Sequence, residues 1–279
     1  MKRIEAGLGE LKTFGLSEEG VLDVGTAMMT TDTRPKRAGR QLPLGDRTAT
    51  IVGMAKGAGM IHPSMGTMLA WILTDASVEQ HALRAMFARA AERSFNSVSV
   101  DGDTSTSDIA AVLANGAAGN EALDDAGLAA LEEAITGVCI DLARQVAADG
   151  EGATKLLTVR VTGATTEADA RRAAHAVAGS NLVKCAIFGR DPNWGRIAAA
   201  LGATDVPFEP ARVAIDLCGK PVFRAGEPVE HDKPAISKLM KAQPEIEIEV
   251  GLGAGDAQAT VWSCDLTDGY VRINADYTT

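Results

Sequence analysis

The chain has 279 residues, of which 46% are hydrophobic and 23% are charged, as in ordinary globular proteins, which excludes disordered and collagen-like classes. Its formal net charge of -10 repels phosphate backbones and acidic membrane surfaces, so neither nucleic acid nor membrane is an expected partner. No apolar run reaches the roughly 18 to 20 residues of a membrane helix, and no signal-peptide core opens the sequence. We therefore expect a cytoplasmic protein.

Helices and strands of several kinds alternate along the chain. The residues over 68–74 are continuously apolar, which is typical of a central strand covered on both faces. The mixture of elements favours a layered α+β fold over a doubly wound sheet. In chain order, the pattern predicts a helix over 17–29, strands over 48–54 and 68–74, a helix that follows a capping box at 77–80, a helix over 128–146, a strand over 157–162, a helix over 166–177, a strand over 182–188, a helix that starts at Asp191-Pro192, a strand over 211–217, a helix over 234–240, and strands over 245–250 and 259–266.

Two glycine-rich segments resemble phosphate-binding loops only superficially. A predicted strand, rather than a helix, follows Gly251–Asp256, so a hairpin turn is the better interpretation. Lys56–Gly59 lacks the spacing of a P-loop, and its glycines are expected to let the backbone approach a ligand or another strand.

Clusters of ionisable side chains give no metal site by spacing alone. The four cysteines form no CxxC pair and are predicted to be buried free thiols, and the four histidines form no metal-binding pair. Asp101, Asp103 and Asp108 are interpreted as a solvated turn rather than a cation site. Glu151 and its neighbours in 149–155 are interpreted as a loop with an exposed salt bridge. No metal or other cofactor is predicted.

Thr67 occupies an unusual position, after the flexible Met65-Gly66 pair and before a predicted buried strand. If the Gly66–Thr67 bond were cut, Thr67 would supply both a hydroxyl nucleophile and, through its new α-amino group, a general base. An α-amino pKa of about 7.7 to 8.0 leaves a neutral fraction near neutral pH that suits this task.

The segment over 55–76 resembles the self-cleavage site of the ornithine acetyltransferases, which are bifunctional glutamate N-acetyltransferases of arginine biosynthesis. The resemblance spans the whole chain, and six motifs occur in the order of that family. Besides the segment over 55–76, they are Met29-Thr-Thr-Asp-Thr33, Asp101-Gly-Asp-Thr-Ser-Thr106, Asp149-Gly-Glu-Gly-Ala-Thr-Lys155, Gly189-Arg-Asp-Pro-Asn-Trp-Gly-Arg196 and Asn274-Ala-Asp-Tyr-Thr-Thr279.

The resemblance implies an αββα-type layered sandwich, a nucleophilic Thr67 and self-cleavage at Gly66–Thr67. Residues 1–66 would then end an α chain and 67–279 would form a β chain, assembled as a heterotetramer. The implied reaction passes the acetyl group of N2-acetylornithine through Thr67 to glutamate, with acetyl-CoA as a further donor in some members. The implied substrate-binding residues, which provide partners for the charged groups of an amino acid, are Thr30, Lys56, Thr67, Glu151, Asn274 and Thr279.

The chain departs from the family pattern at Ser64 and Gly66, where many members have Asn and Ala. Glycine at position 66 eases the strained backbone of an acyl shift. Family members also carry a further N-terminal segment with the Thr-Gly pair of the oxyanion hole, and this sequence starts downstream of it. Two alternatives to the acetyltransferase therefore stay open: a fragment that is inactive until a second chain complements it, and a related amide hydrolase.

Overall fold

The computed structural model describes residues 18–62 and 68–276, with side chains from residue 23 onward. The helices are α1 (Glu18–Ala27), α2 (Gln80–Glu92), α3 (Asp125–Ala148), α4 (Glu167–Ala178), α5 (Asn181–Gly189), α6 (Trp194–Gly202), α7 (Lys233–Ala242) and α8 (Asp268–Asp276). The strands are β1 (Lys36–Leu44), β2 (Arg47–Lys56), β3 (Leu69–Thr74), β4 (Ile109–Ala114), β5 (Leu156–Ala164), β6 (Ala214–Leu217), β7 (Lys220–Arg224), β8 (Glu227–Pro228), β9 (Glu245–Gly251) and β10 (Ala257–Cys264).

The first sheet has four strands in the order β1-β2-β3-β4, and only its β3–β4 pair is parallel. Helices α2 and α3 pack on one face, where Ile51, Ile72 and Leu142 are fully buried. A Cβ at Gly53 would lie 2.8 Å from the Leu142 side chain, so glycine at this position lets α3 approach the sheet closely. This close packing compensates for the scarcity of large aromatic side chains in the core.

The second sheet has six strands in the order β10-β5-β9-β6-β7-β8. Helix α4 packs on β5 and β10, and buried aliphatic side chains of the strands and of α4 to α7 form a second core. The 24-residue helix α3 contacts both sheets. The protein therefore consists of sheets with layers of helices, as the α+β prediction required.

The predicted strand over 182–188 is wrong, because these residues form helix α5. Ser180 caps its start by accepting a hydrogen bond from the backbone N–H of Val183, and Ala186 and Ile187 are buried beside Val183 at helical spacing. A short apolar run fits either a strand or a buried helix, and here the cap decides. The predicted helix start at Asp191-Pro192 is also wrong, since Asn193 is the cap and α6 begins at Trp194.

The predicted hairpin turn at Gly251–Asp256 is also wrong, because β9 and β10 are not neighbours but lie on either side of β5. The loop instead crosses the end of β5, where the N–H groups of Ala254 and Gly255 donate to the carbonyl of Gly163. A Cβ at Gly255 would lie 2.5 Å from the carbonyl oxygen of Ala164. The glycines are therefore needed for a close crossing of two backbones rather than for a tight turn.

Three smaller corrections concern the cap of α2, the burial of the two faces of β3 and the exposure of the cysteines. Glu79, rather than Ser77, caps α2 by accepting from the backbone N–H of Ala82. One face of β3 is buried and the other is only half-buried, so the strand is central but not covered on both faces. All four cysteines are free, but only Cys139 and Cys264 are buried, whereas Cys218 is half-buried and Cys185 is exposed.

Candidate active site

Four residues that the family resemblance assigns to substrate binding lie within the described part of the chain: Thr30, Lys56, Glu151 and Asn274. The structure brings the loops and helix that carry them to one end of the first sheet. Gly66, Thr67 and Thr279 lie outside the described residues, and residue 68, which follows Thr67 in the chain, precedes β3 at the same end.

Asp32 connects the loop of Thr30 to the end of β2. Its Oδ2 accepts a hydrogen bond from the backbone N–H of Thr30 at 3.1 Å, and its Oδ1 accepts one from the N–H of Gly57 at 2.7 Å. Gly57 directly follows Lys56, a residue that is only 6% exposed. The exposed Thr30 and the buried Lys56 are therefore held next to each other by one carboxylate.

Glu151 approaches the same place from the loop after α3. Its backbone N–H donates to the carbonyl of Ala58 at 2.8 Å, and its carboxylate lies against Gly59, where a Cβ would be 2.4 Å from its Cδ. Asn274 of α8 donates from Nδ2 to Oε2 of Glu151 at 2.8 Å. The glycines after Lys56 thus let Glu151, rather than another strand, approach the backbone.

A buried lysine joins the two loops. The Lys36 ammonium lies 2.5 Å from Asp32 Oδ1 and 2.6 Å from Asp149 Oδ2, and Asp149 also accepts hydrogen bonds from the N–H and hydroxyl of Thr33. Burial tends to raise the pKa of Asp32, but hydrogen bonds from Gly57 and Lys36 outweigh it and leave the pKa below its ordinary value. The sequence offered no signal for this pairing, because Lys36 and Asp149 are far apart in the chain.

Asp101 fixes the loop that follows β2, which corrects the interpretation of its segment as a solvated turn. Its carboxylate accepts hydrogen bonds from the backbone N–H groups of Met60 at 2.7 Å and Ile61 at 3.2 Å. The Tyr270 hydroxyl of α8 lies 3.4 Å from Asp101 Oδ2. Burial first, and the negative charge of Asp101 second, raise the pKa of Tyr270 to about 12, so this hydroxyl stays protonated as a donor.

Asp108 lies beside the residue that follows Thr67. Its Oδ1 accepts a hydrogen bond from the backbone N–H of Met68 at 2.8 Å, and Met68 in turn accepts one from the N–H of Ile109. Burial raises the pKa of Asp108, although the Met68 N–H and the positive charge of Lys56 oppose this shift. The start of β3 is therefore clamped by a carboxylate that also interacts electrostatically with Lys56.

The expected exposed salt bridge within 149–155 is wrong. Asp149 is paired with the buried Lys36, whereas the ammonium of Lys155 donates to the backbone carbonyls of Lys241 and Gln243. The buried Asp265 holds the loop instead, because its Oδ1 accepts from the N–H groups of Thr154 and Lys155. The family motif that contains Glu151 is thus anchored at both ends by buried carboxylates.

Two negative observations concern the described residues alone. In residues 18–62 and 68–276, no group of three or more His, Cys, Asp or Glu side chains could hold a metal ion. None of the helices in these ranges is long and apolar enough to cross a membrane.

Comparison with known proteins gives consistent matches. The ArgJ family matches residues 1–279. The "Arginine biosynthesis bifunctional protein ArgJ" of Symbiobacterium thermophilum is 50% identical over 281 residues, and that of Thermus thermophilus is 49% identical over 279 residues. Each match covers 100% of this chain and 69% of the relative. The crystal structure of the Bacillus halodurans ArgJ protein is 38% identical with a TM-score of 0.71, and the match covers 73% of this chain and 96% of that one.

Fold and site together define a layered α+β protein with a site of opposite charges, built from a buried lysine and a half-buried glutamate at one end of a mixed sheet. The match of the ArgJ family over residues 1–279 then identifies the family. The chain belongs to the ArgJ family. The similarity to the ArgJ crystal structure also confirms the layered fold that the resemblance implied.

Proposed function

We propose that the chain is a glutamate N-acetyltransferase that moves an acetyl group from N2-acetylornithine to glutamate. The observation that carries the proposal is that Lys56 pairs with Leu69, two residues after Thr67, while the Glu151 carboxylate lies against Gly59, three residues after Lys56, in a chain of the ArgJ family. The names of the relatives, which refer to arginine biosynthesis and to two functions, support this assignment.

Lys56 and Glu151 suit an amino-acid substrate because it carries both charges. The ammonium of Lys56 binds a carboxylate, and the carboxylate of Glu151 binds an ammonium group; charge-assisted hydrogen bonds of this kind are about twice as strong as neutral ones. Thr30, Asn274 and Thr279 add uncharged hydrogen-bonding groups around the substrate. Burial of Lys56 strengthens its attraction for a carboxylate, since less water screens the charge.

The proposed chemistry is a two-step exchange on Thr67. The Thr67 hydroxyl attacks the acetyl carbonyl of N2-acetylornithine while its α-amino group accepts the hydroxyl proton and passes it to the departing amine, which leaves as ornithine. The acetyl ester that remains on Thr67 is then attacked by the amine of glutamate. The ester bond breaks, N-acetylglutamate forms, and the proton returns to the Thr67 oxygen. No metal or other cofactor takes part.

The mechanism requires cleavage at Gly66–Thr67, so we propose that the chain matures by itself. The Thr67 hydroxyl attacks the carbonyl of Gly66, and water hydrolyses the resulting ester to leave chains 1–66 and 67–279. We propose that two copies of each chain form a heterotetramer in the cytoplasm, with acetyl-CoA as a second donor.

The test is an assay of N-acetylglutamate formation from N2-acetylornithine and glutamate. The purified protein is expected to form N-acetylglutamate and ornithine in equal amounts, and Thr67→Ala is expected to form neither. Full activity of Thr67→Ala would contradict the proposal. Release of acetate at the same rate with and without glutamate would instead indicate an amide hydrolase.

A second candidate, dependence of the activity on a complementing chain, is favoured by an apolar face of the first sheet. Ile109 and Leu113 of β4 are 48% and 51% exposed, and their register partners on β3 are half-buried Leu69 and Leu73. The relatives extend beyond the matched region, because the matches cover 69% of their length. Activity that appears only when the remaining segment of a relative is added would support this candidate, and activity of the chain alone would exclude it.

A further inference from the structure

Three of the proposed substrate-binding residues lie in or next to loops, and a loop alone does not fix a distance to within an ångström. Thr30 precedes β1, Lys56 ends β2 and Glu151 follows α3. The proposed reaction nevertheless needs these groups at fixed separations, since a misplacement of about 1 Å can lower a rate 100-fold. Another part of the protein must therefore hold the three segments together.

The Lys36 trio, defined as Lys36, Asp32 and Asp149, is situated between these segments. The side chains of Lys36 and Asp32 are 0% exposed and that of Asp149 is 4% exposed. Asp32 binds the backbone N–H groups of Thr30 and Gly57, and Asp149 is two residues before Glu151. The Lys36 ammonium, at 2.5 and 2.6 Å from the two carboxylates, is the link between them.

Stability is a poor explanation for the Lys36 trio. Its formal charge is -1, which the exposed Arg34, with its Nε 3.9 Å from Asp149 Oδ1, offsets only in part. Removing charges from water costs several kcal/mol per ion. Well-packed hydrophobic residues of similar size often stabilise a fold equally well or better. The directional bonds of the trio do supply a fixed spacing, because each charged hydrogen bond locks one loop to a strand.

We propose that Lys36 is a positioning residue of the acetyl transfer reaction, which sets the separation of Thr30, Lys56 and Glu151 through Asp32 and Asp149. The inference rests on the proposed function for its kinetic consequence only. Lys36 itself is fully buried, and it acts through Asp32, which bonds the backbone of Thr30 and Gly57, and through Asp149, two residues before Glu151.

The test replaces the trio by neutral residues of similar size, in the variant Lys36→Met/Asp32→Asn/Asp149→Asn. Backbone amides over 30–33, 57–62 and 149–153 are expected to exchange with deuterium at least tenfold faster than in the parent, at a temperature at which circular dichroism shows both proteins folded. The KM for N2-acetylornithine is expected to rise at least tenfold, with a smaller change in kcat. Arg89→Met is the control, since Arg89 pairs with Glu132 on the outside of α2 and α3.

Parental exchange rates in all three segments would overturn the proposal, and so would an unchanged KM in an active protein. If the parent transfers no acetyl group, the proposed function fails, but the exchange rates still decide whether the trio holds the loops. If the triple variant does not fold, Asp149→Asn alone serves. It is expected to accelerate exchange over 149–153 but not over 57–62, where Asp32 and Lys36 remain, and equal acceleration in both segments would contradict the proposal.

Discussion

Gly59→Ala tests whether the position of the Glu151 carboxylate matters for the proposed reaction. A Cβ at residue 59 would lie 2.4 Å from Cδ and 2.5 and 2.6 Å from the two oxygens of Glu151. Because ordinary contacts start near 3.4 Å, the carboxylate must move by about 1 Å from the position in which it accepts the 2.8 Å hydrogen bond from Asn274. Gly59 does not have positive φ, so alanine brings no backbone strain.

The expected rise in KM follows from the strength of the hydrogen bond that the displaced Glu151 carboxylate can no longer form with the ammonium group of the substrate. Such hydrogen bonds contribute about 1.5 to 3 kcal/mol, so the KM for N2-acetylornithine is expected to rise by roughly 10- to 100-fold. The matched control is Gly202→Ala at the end of α6, where a Cβ would meet nothing within 4 Å. The assay compares kcat, KM and melting temperature of both variants. A KM equal in the two variants would refute a role for the Glu151 position.

Three further predictions concern stability and reactivity. Burial lowers the pKa of His175 to about 4 from 6.5, so the unfolded chain binds a proton over this range and the folded protein does not. Stability is therefore lost as pH falls from 6.5 toward 4, by up to about 3 kcal/mol, and urea titrations of His175→Gln should show a flatter pH dependence; parallel curves would contradict this. Gly152→Ala is expected to lower the free energy of unfolding by more than about 2 kcal/mol. The reason is a steric clash, because the added Cβ would lie 2.3 Å from the backbone N of Tyr270. Gly119→Ala, with similar positive φ but open space, should cost only about 1 kcal/mol, and equal losses in urea would show that the contact is unimportant. Finally, the exposed Cys185 should react with a maleimide first, since burial raises the pKa of Cys139 to about 12 and that of Cys264 to about 11, and equally fast labelling of Cys139 would contradict this assignment.

Much of the fold follows from periodicity. Helix α3 has buried side chains at helical spacing over 24 residues, and β5 alternates buried and partly exposed residues, so both were predictable. The short apolar helix α5 was not, because nine residues do not distinguish a buried helix from a strand. Strand β1 was missed for the opposite reason, since KRAGRQLPL has few apolar residues and lies at the edge of its sheet.

The candidate site was likewise predictable only in part. Lys56, Glu151 and Asn274 were selected by resemblance to family motifs, and the structure brings them together. The carboxylates that hold them, such as Asp32, Asp149 and Asp101, stand inside those motifs, but their partners do not follow from spacing. The Lys36–Asp149 pair joins residues 113 positions apart, and only the three-dimensional arrangement of β1 and α3 creates it.

The most direct test of the proposed function is an intact mass spectrum of the purified chain and of Thr67→Ala. Self-cleavage predicts two masses for the parent that together equal the full chain plus one water, with the second fragment starting at Thr67, and a single uncut mass for the variant. A parent that remains a single uncut chain while it transfers acetyl groups would contradict the central claim, because Thr67 would then have no free α-amino group to act as the base.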